Sequence, residues 1–97
     1  MNAYLIGEIT VKDQEKWGKY VAGVADSLKP FDARVVFRGR RAAVLAGSHP
    51  HELTVVIEFA DQATLQSWFS SPDYQKLIPL RDEAADVVIV SYDELPG

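Results

Sequence analysis

Two spacings of apolar residues take turns along this chain, every second position in some stretches and every third or fourth in others, and they divide it into strands and helices. Residues 4–11 carry β-branched and aromatic side chains and stop at Lys12-Asp13, the pattern of a strand that runs into a helix N-cap. Beyond the cap, Trp17, Tyr20, Val21, Val24 and Leu28 form one helical stripe, with Lys16, Lys19 and Asp26 off it, and Pro30 ends the helix. Residues 34–38 and 41–45 read as two arms of a hairpin turning at Gly39-Arg40, and 47–52 as a loop. A strand follows over 53–59, and Asp61 caps a second helix with Leu65, Trp68 and Phe69 on one side. Ser71-Pro72 restarts it, with Tyr74, Leu77 and Ile78 at helical spacing. Pro79 interrupts that helix, 81–85 forms a short turn, and 87–92 is the last strand.

The order strand, helix, strand hairpin, strand, helix, strand contains a weak internal echo. Glu8 leads to Asp13 and Trp17, as Glu58 leads to Asp61 and Trp68. Two such units make an α+β, ferredoxin-like βαββαβ sandwich: an antiparallel sheet in the order 4-1-3-2 with both helices on one face. The 97 residues suffice for one domain, residues 1–97.

The face without helices poses a problem. Residues 87–90 are apolar on both sides of their strand, and Ile6 and Val56 sit opposite Leu5, Ile9, Val55 and Ile57. A half-covered sheet ordinarily alternates, and monomers rarely leave more than a few hundred Å² of contiguous apolar surface in water. The expectation is a two-fold homodimer in which two sheets meet and enclose a barrel-like space.

Composition narrows the function classes. The chain is 47% hydrophobic and 25% charged, ordinary globular usage. Without cysteine there are no disulfides, thiolate metal sites or cysteine nucleophiles. The apolar runs at 55–57 and 87–90 fall far short of the roughly 20 residues that span a bilayer. No basic and apolar leader precedes the first strand, so a cytoplasmic location without membrane attachment is expected. A net charge of −4 disfavours nucleic acid and anionic lipid as partners. Arg34, Arg38, Arg40 and Arg41 are a local exception.

The carboxylates carry the most chemical information. Alternation puts Glu8 and Glu58 on the face away from the helices, on strands expected to be parallel neighbours, with Arg34, Val36 and Arg38 sharing that face. A buried carboxylate must be protonated, hydrated or paired, and Arg38 is the natural counter-charge. Glu58, Glu8 and Arg38 then read either as an acid–base group beside an anion-recognising arginine, or as a structural ion pair that registers the dimer. His49 and His51 flank Pro50 in a loop without a third ligand; they are solvated residues or proton carriers at a pocket rim, and no metal is expected. Tyr20, Trp17, Trp68 and Phe69 line a pocket or fill the core. Arg40 and Arg41 decorate an exposed hairpin edge. No phosphate loop, nucleophile elbow or zinc-binding helix motif occurs, and no cofactor is expected.

The segment Trp68-Phe69-Ser70-Ser71-Pro72-Asp73-Tyr74-Gln75, preceded by Val55-Val56-Ile57-Glu58-Phe59 and followed by Arg81, resembles the signature of the family catalogued as domain of unknown function 1330. Tyr20 and the Arg38-Gly39 step match as well, and the resemblance covers nearly the whole chain. It implies the dimeric α/β barrel superfamily, and so the homodimer. It also marks Tyr74 and Arg81 as characteristic positions, a hydroxyl and a guanidinium near the cavity mouth or ordinary packing and a surface charge. Two departures stand out: Phe31-Asp32-Ala33 replaces a customary glycine pair, and Pro79 breaks a helix that is commonly continuous. The family has no general activity, although barrel relatives include cofactor-independent monooxygenases, isomerases and cyclases. Two functions stay open, a small-molecule binder or cofactor-independent enzyme, and a non-catalytic dimeric module.

Overall fold

In the computed structural model, which describes residues 1–96, the chain runs β1 (Ala3–Val11), α1 (Gln14–Leu28), β2 (Arg34–Arg40), β3 (Leu53–Phe59), α2 (Gln62–Phe69), α3 (Pro72–Gln75), α4 (Ile78–Ala84) and β4 (Ala85–Asp93). The caps form where side-chain chemistry demands them. Asp13, Asp61 and Ser71 each accept a hydrogen bond from the amide three residues on, at Lys16, Thr64 and Tyr74. A single 3-10 turn, Lys29–Phe31, follows α1, and Asp32 then takes φ 51°, in the left-handed region. Aspartate tolerates that conformation better than most residues, which explains how the chain turns here without the customary glycine.

The sheet is antiparallel throughout, in the order β2-β3-β1-β4. This is the ferredoxin-like arrangement, with every helix on one side. Three expectations require correction. β1 and β3 are neighbours but run antiparallel, because β3 returns directly from β2, which lies parallel to β1. Residues 41–45 form no strand: Arg40 pairs with Leu53 and the Arg41 amide donates to the Glu52 carbonyl, so the hairpin joins β2 to β3 through a long loop. Residues 81–85 are not a turn either. Pro79 sits in the first turn of α4, where its missing amide costs nothing, and α4 leads straight into β4.

The core lies between sheet and helices. Leu5, Ile57 and Phe59 from the sheet meet Tyr20, Leu28, Leu65, Trp68 and Tyr74 from the helices. Trp68, Tyr74 and Phe59 are its largest fully buried side chains. Buried side-chain polar atoms are all paired among the described residues. Trp68 donates from Nε1 to Ser27 Oγ at 2.9 Å, and Ser27 in turn donates to the Val24 carbonyl at 2.8 Å.

The opposite face is bare. Its middle row is apolar, running Phe37, Val56, Ile6 and Val90 across the four strands. A row on one side holds Arg34, Glu58, Tyr4 and Tyr92; the row on the other holds Gly39, Thr54, Glu8 and Val88. Phe37, Val88, Val90 and Tyr92 are all exposed there. The described C-terminal residues do not roof this face: the Glu94 amide bonds to the Asn2 carbonyl at the end of the β1–β4 ladder, and Leu95 is exposed.

Candidate functional site

A cleft of about 420 Å³ opens between α1 and the sheet. Leu5, Gly7 and Ile9 of β1 make its floor, with Val55 and Ile57 of β3 and Val87 and Ile89 of β4 beside them. α1 supplies the opposite wall through Trp17, Tyr20, Val21, Val24 and Leu28. Gly7 is decisive for the space. It alternates with Leu5 and Ile9, and a Cβ there would stand 3.0 Å from Val55 Cγ1, so any larger residue would push Val55 aside and reshape the floor.

Only the β2 edge of the cleft is charged, where Arg38 and Arg40 border it. A β-bulge puts them there. The register of β2 on β3 slips between Val35 and Phe37, so Val36 is an extra residue and alternation resumes one step out of phase. Arg34 faces the bare side opposite Glu58, whereas Arg38 lies opposite Val55 on the cleft side. The expected pairing of Arg38 with Glu58 is therefore corrected: Arg34 occupies that position.

Glu58 is fully engaged on the bare face. It accepts from Arg34 Nε at 3.0 Å, from the Tyr4 hydroxyl at 3.0 Å and from Asn2 Nδ2 at 3.4 Å. The Tyr4 hydrogen bond and then Arg34 hold its carboxyl below the ordinary value, and the same bond pushes the Tyr4 hydroxyl upward. Glu8 accepts from Thr54 Oγ1 at 3.0 Å and lies 2.9 Å from His49 Nε2. His51 Nδ1 stands 2.8 Å from Thr10 Oγ1, and both imidazoles line a small recess of about 240 Å³ under the 41–52 loop. No group of three or more histidine, cysteine or acidic side chains is placed to hold a metal among the described residues.

The sheet thus separates the predicted residues into two groups. Arg38 and Tyr20 border the cleft; Glu8, Glu58 and His51 lie on or beside the other face. Tyr74 and Arg81 line neither. Tyr74 is fully buried behind the cleft, with its hydroxyl 2.9 Å from that of Tyr20 and accepting from Arg81 Nη1 at 3.0 Å. Burial, reinforced by Tyr74, pushes the Tyr20 hydroxyl far above its ordinary range, so it stays neutral. Sequence reasoning missed Gly7, Ser27 and the pairing of His49 with Glu8. Ser27 alone left a signal, since it lies on the stripe of Tyr20 and Val24 at i+7 and i+3.

Solved structures share this architecture. A protein of unknown function from Rhodopseudomonas palustris superposes with a TM-score of 0.83 at 14% identity, covering 99% of this chain and 84% of that one. A dimeric ferredoxin-like protein of unknown function from a Jannaschia species gives 0.68 at 13% identity, over 97% and 100%. SnoaB of Streptomyces nogalater, a cofactor-independent oxygenase, gives 0.67 at 10% identity, over 99% and 95%. Identities this low speak for the fold alone, and no curated protein matches the sequence. The family model for domain of unknown function 1330 matches residues 2–93, nearly all of the sequence whose fold has just been described, and the chain belongs to that family.

Proposed function

We propose that this protein binds a small, largely apolar organic molecule in the cleft between α1 and the sheet, and that it does so as a homodimer whose bare sheet faces meet. The observation that carries the first part is the cleft itself. Its 420 Å³ falls in the range of small-molecule sites, which are concave, mostly apolar and furnished with few polar groups. An interior meant only for stability would fill that space. Support for the dimer comes from the apolar middle row of the bare face and from a structural relative described as dimeric.

Tyr20 contributes wall in this reading, while Tyr74 and Arg81 hold its hydroxyl from behind. Glu58 and Glu8 register the assembly. Joint acid–base work by Glu58, Glu8 and Arg38 on one ligand is left out, because the sheet stands between Arg38 and both carboxylates. The oxygenase among the structural relatives keeps cofactor-independent chemistry in view for a ligand in this cleft.

Both tryptophans of the chain, Trp17 and Trp68, line the cleft, so intrinsic fluorescence reports its occupancy. Titration with naphthalene-2-carboxamide is expected to quench that fluorescence saturably. Gly7→Val, which fills the floor, is expected to weaken binding at least tenfold with the circular dichroism spectrum unchanged. Ala25→Phe narrows the cleft from α1 and serves if the strand variant folds poorly. Undiminished binding in both variants overturns the cleft reading, as does failure of the parent protein to bind either this probe or its carboxylate counterpart.

A further inference from the structure

We infer that the occupant of this cleft is an organic anion, a molecule with an apolar body and one carboxylate, and that Arg38 receives the carboxylate. The inference rests on the cleft reading above and names its ligand class. It follows from an accounting of the four arginines at 34–41. Arg34 donates to Glu58 at 3.0 Å. Arg40 Nη1 reaches Glu52 at 3.3 Å. Arg41 Nη1 donates to the carbonyls of His49 and His51 at 2.9 and 3.2 Å. Arg38 makes no hydrogen bond or ion pair to any other described residue, and with Arg40 it borders a mostly apolar cleft.

The position of that charge depends on the bulge. Strict alternation would set Arg38 on the bare face opposite Thr54, in the row of Glu8, whose carboxylate would neutralise it. The extra residue Val36 instead turns the guanidinium to the cleft and leaves it without a counter-ion from the chain. A guanidinium offers a planar fork that matches a carboxylate, and apolar walls on one side strengthen the attraction by excluding water. The protein as a whole carries −4 and repels anions, so a ligand anion needs such a local cation. The apolar body would lie over Leu5, Gly7 and Ile9, with its charged end at the β2 edge.

Paired probes test this: naphthalene-2-carboxylate and its neutral carboxamide, titrated by tryptophan fluorescence at low and high salt. The parent protein is expected to bind the carboxylate about tenfold more tightly, the scale of one charge-assisted hydrogen bond at a partly exposed rim, with the preference shrinking as salt rises. Arg38→Gln should abolish the preference and leave carboxamide affinity unchanged, while Arg38→Lys should keep part of it. Equal affinity for the two probes in the parent, or a preference that survives Arg38→Gln, overturns the inference and leaves the cleft reading standing. Failure of both probes to bind overturns the two together.

Discussion

A polar atom placed where water does not reach must find its partner within the chain, and single residues here show how that demand is met. Trp68 is buried, and its indole N–H has Ser27 Oγ as acceptor. Ser27→Ala removes the acceptor without opening a large void, so unfolding in urea is expected to lose about 1–3 kcal/mol, the cost of an orphaned buried donor. No measurable loss would mean that the indole finds another acceptor. Glu58 answers the same demand with charge. Its carboxyl titrates below the ordinary 4.5 because the Tyr4 hydroxyl and Arg34 stabilise the ionised form. The folded protein therefore binds this proton less readily than the unfolded chain. That advantage is complete above pH 4.5 and is lost as pH falls through the lowered folded value. The difference in unfolding midpoint between the parent and Glu58→Gln should accordingly be widest above about pH 5 and close on acidification; a gap constant with pH would contradict it. Alternation placed Glu58 on the correct face but named the wrong arginine, since a bulge of one residue leaves no mark that a period-two reading detects. Tyr74 was ambiguous for a different reason: its helix has only four residues, too short for a stripe to declare which side is buried.

Among the elements, α1 decides whether the cleft exists, because it forms the wall facing the sheet. Its stripe and its Asp13 cap were legible in the sequence, as was every strand except the second arm of the supposed hairpin. That arm failed because β3 takes the inner edge of β2 and residues 41–45 are spent in the loop that leads to it. The 78–84 helix was hidden by Pro79, which ends a helix when met from within and begins one when it stands in the first turn. Two glycines inside α1 show how packing overrules propensity. A Cβ on Gly18 would meet nothing within 4 Å, whereas one on Gly23 would come within 2.7 Å of Leu77 Cδ2. Replacing a helical glycine by alanine ordinarily stabilises by about 1 kcal/mol. Gly18→Ala should show that gain in thermal unfolding, and Gly23→Ala should not, because α1 and Leu77 must part to admit the methyl. Equal gains at the two sites would show that Leu77 moves aside freely and that the close approach is incidental.

The described residues form a slab of 36 × 31 × 16 Å, two layers thick, with their helices on one side of the sheet and none among them on the other. Phe37, Val56, Ile6 and Val90 form an apolar band across the bare side, and polar rows containing Glu58 with Arg34, and Glu8 with Thr54, flank it. A second copy turned by a two-fold axis would lay band on band, the geometry in which each apolar residue gains cover and neither carboxylate needs to be stripped of its present partners. A band of this composition facing water would be a large exposed patch for a monomer. The parent protein is therefore expected to sediment as a dimer at micromolar concentration. Val90→Asp places a charge in the apolar band and should raise the dissociation constant by at least a hundredfold, since a carboxylate buried without a partner costs several kcal/mol. Because the cleft opens on the opposite side of the sheet, binding of the naphthalene probes should survive in that monomer. Loss of binding together with the dimer would mean that the cleft depends on the partner for its shape, and a parent protein that sediments as a monomer would leave the apolar band without an occupant.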